Sequence, residues 1–343
     1  MSRKGGRQMN HATKTLVVAL ALAAMAGTVQ AQALKFSTNG KGSDPDVAAM
    51  NAWAEYIEAN SGLEVDVFEG SSLVEQGKQG QALARGTIDA AFMSPAWFAE
   101  AAPQWEILAT PYLLSGPEHI CAFRNSEYWD QMVGEVEDAM QLKLLDAAYQ
   151  GTRTLNLRKK KDVKTPADLA GMSLRVVPSP SNILMGEGLG ANPTPVPFSE
   201  LYLALQTGTV DAQENPLTLI YSQKFYEVTE QIVNTKHKAL LQMPAYSSRN
   251  WANLSEEEQK VIAEGAAVAM AAYTKDVIDQ EASLQEKIEA EGVVFTDPDR
   301  DAFRTSVQEK FLNSELAAKW EPGMFEKIAN LEIPEECQNL AQD

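Results

Sequence analysis

Apolar and polar positions recur along this chain with two different periods. Leu34-Lys35-Phe36-Ser37 reads as a short strand, and the turn-forming stretch Asn39 to Pro45 follows it. From Asp46 to Ser61 the apolar residues Val47, Met50, Trp53 and Ile57 lie at helical spacing, and Leu63 to Phe68 alternates as a strand again. Gln79 to Ala84 predicts a second helix and Ile88 to Phe92 another strand. Trp105 to Leu114 leads through Pro111 into further helices, and Lys143 to Tyr149 predicts a strand that ends at Gln150-Gly151. Strands alternating with helices in this way specify an α/β unit with a largely parallel sheet, whose ligands gather beyond the carboxyl ends of the strands.

A second unit of the same kind starts near Arg153. Leu155 to Arg158 and Ser173 to Val177 read as strands with a helical turn at Pro166 to Leu169 between them. Pro180 to Leu189 and Ser199 to Thr207 read as helices, and Ala212 to Asn215 as a strand end. At Leu254-Ser255-Glu256-Glu257-Glu258, Ser255 can cap a helix and Glu258 can return the bond, which opens a pattern that runs to about Glu291. Such a helix is about 50 Å long, longer than one small domain is wide, so it packs across both units unless it breaks near Asp276.

Composition then narrows the class of protein. The 343 residues are 45% apolar and 22% charged, as in ordinary globular proteins, and this length suits two domains. The formal charge of −18 repels a phosphate backbone, so no nucleic-acid partner is expected. The first residues carry Arg3, Lys4, Arg7 and Lys14 with no acid. The apolar run Thr15 to Gly27 follows, and then small residues around Ala31 and Ala33. This is the layout of a secretory leader, residues 1–31, cleaved near Ala31 or Ala33 and followed by an exported mature chain. Without its four basic residues the chain keeps 25 basic against 47 acidic side chains, a charge of −22.

Candidate chemistry is sparse. The chain has no GxSxG, HExxH or GxxxxGK[ST] and no cysteine pair at zinc spacing, so no catalytic residue, metal or cofactor is expected. His119 and His237 have no Ser or Asp arranged near them in sequence. Asp44-Pro45-Asp46 and Asp297-Pro298-Asp299 do not match a calcium loop and read as turns that cap helices. Cys121 and Cys337 lie far apart; in an oxidising compartment they either form a disulfide or stay as two buried thiols. The basic run Arg158 to Lys161 reads as a solvated face. Arg153 and Arg175 are more telling, because each falls at or inside an apolar strand. A guanidinium there needs an anion, supplied either by an internal Asp or Glu or by a ligand carboxylate that its fork matches.

These arginines belong to a longer pattern. Gly151-Thr152-Arg153 is followed by Lys161-Asp-Val-Lys-Thr-Pro-Ala-Asp-Leu-Ala-Gly171 and Leu174-Arg175-Val176. Then come Gly190-Ala-Asn-Pro-Thr-Pro195, Phe198-Ser-Glu-Leu-Tyr-Leu-Ala-Leu-Gln-Thr-Gly208, Asp211-Ala-Gln-Glu-Asn215-Pro216 and Lys224-Phe-Tyr-Glu-Val228. The chain resembles the extracytoplasmic solute receptors of TRAP (tripartite ATP-independent periplasmic) transporters, the C4-dicarboxylate-type binding-protein family. The resemblance runs in order along nearly the whole mature chain.

It implies a two-domain α/β periplasmic binding protein, type II-like, with crossing hinge strands and a long helix spanning both domains. The first domain is expected at 32–150 plus about 241–280, and the second at 151–240 plus about 281–343. By matched position, Arg175 resembles the arginine that pairs with the ligand carboxylate, Arg153 a second cationic contact, Asn215 an asparagine bonded to the same carboxylate, and Phe198 a wall of the cleft. Asn39 sits where a first-domain polar contact is found, and Glu75 and Gln76 follow the second strand. Sialic-acid receptors of the family place charged side chains at the positions of Ser94 and Trp97, so sialic acid is disfavoured here. The ligands left open are a uronate or other sugar acid, a short dicarboxylate and an aromatic acid. The implied partners are the membrane permease subunits, with the receptor itself a monomer. Delivery to a sensor kinase and a periplasmic enzyme acting on sugar acids stand as alternatives.

Overall fold

A computed structural model describes residues 1–2, 33–98, 101–338 and 340. The expected leader therefore lies, apart from its first two residues, outside the described residues. From Leu34 onward the elements alternate as the periodicity predicts: β1 (Leu34–Ser37), α1 (Pro45–Asn60), β2 (Val65–Phe68), α2 (Gln79–Arg85), β3 (Ala90–Met93), α3 (Pro117–Arg124), α4 (Glu127–Met140), β4 (Leu142–Leu144) and β5 (Ala148–Leu157). The second run is β6 (Ser173–Val176), α5 (Pro180–Gly188), β7 (Asn192–Pro195), α6 (Leu201–Thr207), β8 (Ala212–Asn215) and α7 (Leu217–Ser222). It continues with β9 (Gln231–Ser247), α8 (Ser248–Trp251), α9 (Glu256–Ala290), β10 (Val294–Thr296), α10 (Arg300–Leu312) and α11 (Met324–Ala329).

Two strands differ from the sequence expectation, and both lie at the centre. The strand predicted over Lys143 to Tyr149 is broken at 145–147 into β4 and β5, and β5 runs on to Leu157, with an irregularity between Tyr149 and Thr152 instead of a stop. Gly151 takes φ +109° there; a Cβ would sit 2.6 Å from Pro216 Cβ and 3.0 Å from Glu281 Oε1. Glycine is thus required both by the backbone and by the space. The other strand, β9, runs 17 residues through a stretch with no clean alternation. Its last residues pair antiparallel with β3 and β4, and its first twelve pair with β5 and β10, so one strand serves both halves of the molecule.

The strand order is β2-β1-β3-β9-β5-β8-β6-β7, with β4 and β10 also on β9. Outer strands are parallel to their neighbours, as in β1 with β2 and β6 with β7, whereas β9 runs antiparallel to β3 and β5. The sheet is therefore mixed, not largely parallel. Each half winds its own parallel strands, and long antiparallel strands stitch the halves together.

Helix α9 is continuous for 35 residues and opens with the expected capping box, the Ser255 hydroxyl accepting from Glu258 N and the Glu258 carboxylate from Ser255 N. It packs on α1 in the first half and on β5 and α7 in the second. Trp53 Nε1 donates to Ile262 O at 2.9 Å across the α1–α9 contact. The C-terminal segment returns to the first half. Glu321 N donates to Gln104 Oε1, His119 Nε2 bonds Ile328 O at 2.8 Å, and Cys121 and Cys337 form a disulfide with Cα atoms 5.6 Å apart. Residues after about 316, grouped above with the second domain, thus make these contacts with the first. No helix among the described residues is long and apolar enough to cross a membrane.

Candidate functional site

A cavity of about 640 Å³, its mouth included, opens where the two halves meet. Its wall mixes Asn39, Asp44, Asp46, Gln76, Ser94, Trp97 and Gln150 with Arg153, Asn182, Phe198, Asn215, Leu219, Lys238, Leu240 and Gln242. Asn39, Gln76, Trp97, Arg153, Phe198 and Asn215, up to about half the chain apart, are brought together in this wall, which Arg175 does not line. Glu75 is not among them: it is exposed and outside the lining.

The two arginines divide the alternatives that the sequence left open. Arg153, in β5, gives its Nε and Nη2 to the Glu214 carboxylate of the adjacent strand β8, and Nη2 also donates to Glu214 O. Glu214 is fully buried. Burial alone raises its pKa, but the charge of Arg153 and a bond from His237 outweigh burial and bring it down to about 2. A carboxylate can only accept, so the proton of His237 lies on Nε2, 3.3 Å from Glu214, and its Nδ1 accepts from Thr235 Oγ1 at 2.8 Å. Arg153 therefore lines the cavity with an internal partner already in place.

Arg175 has none. It is 0% exposed in β6, its Nε donates to Val196 O at 2.8 Å, and Nη1 and Nη2 are buried without a hydrogen-bond partner among the described residues. Burial lowers its pKa to about 9, with Glu214 opposing that shift and Arg153 adding to it, so it is a cation at neutral pH. It sits one layer behind the lining, its guanidinium carbon 6.0 Å from the centroid of the Phe198 ring, which forms the wall. A buried guanidinium with two unmet nitrogens costs several kcal/mol unless an anion meets it.

Around these cations the polar groups are tied down. Asn215 Nδ2 donates to Gln213 Oε1 at 2.6 Å; Asn39 Oδ1 accepts from Gln79 Nε2 and Ser71 Oγ. Gln76 crosses between the halves, its Oε1 accepting from Phe198 N at 2.9 Å. Trp97 is half-buried against the core and presents part of its face to the cavity.

Three charged lining residues escaped the sequence reading. Asp44 does cap α1 as expected, its carboxylate accepting from Asp46 N at 3.0 Å, but both carboxylates also line the cavity. Burial raises both pKa values, and the charge of Asp46 raises Asp44 further. Asp46 is held by Tyr273 Oη at 2.7 Å, Gln242 Nε2 at 2.7 Å and Gln150 Nε2 at 3.1 Å. The third, Lys238, lies on β9, in a strand whose mixed pattern hid it. The basic run Arg158 to Lys161 stays outside the cavity; Lys159 pairs with Glu230.

A polar cavity between two α/β halves joined by shared strands and a shared helix defines a solute-binding protein. The chain belongs to the bacterial extracellular solute-binding proteins of family 7, matched over residues 36–316, which are periplasmic receptors of TRAP transporters. Among curated relatives, the sialic acid-binding periplasmic protein of Vibrio cholerae is 29% identical over 302 residues, 88% of this chain and 94% of that protein. Of solved structures, a TRAP receptor from Roseobacter denitrificans with bound 3-deoxy-D-manno-oct-2-ulosonic acid is 36% identical, with TM-score 0.84 over 88% of this chain and 99% of that one. A second Roseobacter denitrificans receptor, with bound L-galactonate, is 26% identical, with TM-score 0.79 over 87% and 98%.

Proposed function

We propose that this receptor is exported, captures a hydroxylated monocarboxylate by closing its two halves on it, and hands the solute to a TRAP membrane permease as a monomer, without catalysis. The observation that carries the reading is Arg175. Its Nη1 and Nη2 are buried and unpartnered among the described residues, and a solute carboxylate supplies the bidentate anion that they lack. Asn215 and Phe198 complete that end of the site, with Arg153 adding positive charge from behind its pair with Glu214. The bound sugar acids of the two Roseobacter denitrificans receptors agree with the polar lining here. An aromatic acid fits this wall poorly, and Ser94 and Trp97 argue against sialic acid. The domains divide at the hinge near Gly151, with the tail after residue 316 assigned to the first.

Arg175→Ala is expected to weaken binding of the solute by about 2–5 kcal/mol, as for a buried ion pair that loses one partner. Arg175→Lys is expected to weaken it too, because an ammonium does not reproduce the fork. Calorimetry against the best acid from a thermal-shift panel checks both. Undiminished affinity of a folded Arg175→Ala protein sinks the proposal.

A further inference from the structure

Residues 238, 240 and 242 of β9 alternate onto one face, and all three line the cavity. The ends of this stripe differ in chemistry. Gln242 donates to Asp46, so the far end is an acceptor surface backed by Asp44 and Asp46. The near end is Lys238, about 13 Å away along the strand. Its Cα is the register partner of Arg153, yet only Arg153 has a carboxylate partner. Lys238 is 6% exposed, and the one hydrogen bond of its ammonium among the described residues is to Asn182 Oδ1 at 3.4 Å, although an ammonium offers three donors. Burial, then Arg153, lower its pKa to about 8, against weaker help from Glu214 and Glu106.

Building on the reading of this cavity as a carboxylate site, we infer that Lys238, steered by Asn182, is a specificity-determining contact that donates to a hydroxyl oxygen of the solute's chain. The wall as a whole selects for that chemistry. Lys238 demands an acceptor, and Asp44 and Asp46 favour a donor. A hydroxyl is both, so a chain of hydroxyls satisfies the stripe from end to end. A second carboxylate, carried along the chain away from the one at Arg175, meets the aspartates, and a bare methylene chain leaves both ends unmet.

The test compares acids of one chain length by calorimetry on the purified protein: D-gluconate and L-galactonate against hexanoate and adipate. The wild-type protein is expected to bind the better hydroxy acid at least ten-fold more tightly than either control. Lys238→Met is expected to reduce that affinity ten-fold or more and to leave hexanoate within two-fold. Lys238→Gln, which keeps a donor, should fall between, and melting curves verify that both variants fold. Equal losses for hydroxy acid and hexanoate, no loss in either variant, or tighter wild-type binding of adipate overturns the inference. Arg175→Ala separates the two readings: hydroxy-acid binding that survives Arg175→Ala overturns the carboxylate site itself, whereas binding lost there but kept in Lys238→Met overturns only the role of Lys238.

Discussion

Arg153 and Arg175 are indistinguishable from sequence pattern, since each interrupts apolar strand residues and each has an internal or an external anion as its explanation. The structure supplies an internal anion for one of them. Arg153 is answered by Glu214 on the next strand, a partner that sequence separation hides and only the β5–β8 register reveals. Arg175 keeps two buried nitrogens unanswered. The same limit applies to Asp44, Asp46 and Lys238. Their capping or strand positions are legible in the sequence, but a role in the cavity depends on which elements the fold brings opposite them. The Arg153–Glu214 pair also has a pH signature. Glu214 titrates at about 2 in the folded protein against an ordinary value of 4.5, so the unfolded chain binds the proton first. Its contribution to stability is complete above the ordinary value and is lost as the pH falls from there toward 2. Acid melting should show this loss, and Glu214→Gln should remove it while lowering stability by about 3–5 kcal/mol at neutral pH, because Arg153 is left buried without its anion. An unchanged acid profile in Glu214→Gln would contradict this account.

At the scale of elements, the alternating helices and strands of each half follow from their periodicity, and the capping box of α9 follows from four letters of sequence. The central strands do not. β9 is buried through most of its length and has Lys236, His237, Lys238 and Gln242 among its apolar residues, so neither period is visible. Its existence follows from family resemblance and from pairing with both β3 and β5. The irregularity in β5 is written in one residue. Gly151 lets the strand turn its register where Thr152 N donates to Glu281 Oε1 at 3.0 Å and Tyr149 Oη to Glu281 Oε2 at 2.8 Å. Gly151→Ala should cost about 1–3 kcal/mol from the positive φ, with more from the contact with Pro216. A melting temperature equal to wild type would show that the strand has another route through this point.

At the scale of the whole molecule, the chain crosses between halves and then comes back. The disulfide Cys121–Cys337 fastens the returning segment to α3, next to the bond from His119 to Ile328 O. Cys337→Ser should reduce stability by about 2–4 kcal/mol, read from denaturant unfolding under oxidising conditions, with no change in solute affinity because neither cysteine lines the cavity. A drop in affinity without a drop in stability would argue for a link between tail and cleft that the contacts do not provide. The long helix has a further mechanical meaning. Thr274 accepts from Tyr149 N and Glu281 holds Thr152, so α9 is tied to β5 at its middle and again about two turns further on. From Thr274 the helix extends about 27 Å toward its N-terminus, and from Glu281 about 14 Å toward its C-terminus. It is a lever with unequal arms. A tilt of about 10° about these ties carries the long end about 5 Å and the short end about 2 Å, by the geometry of a rigid rod of that length. Because Trp53 bonds Ile262 on the long arm, a small movement at the hinge is passed to α1 and magnified across the first half.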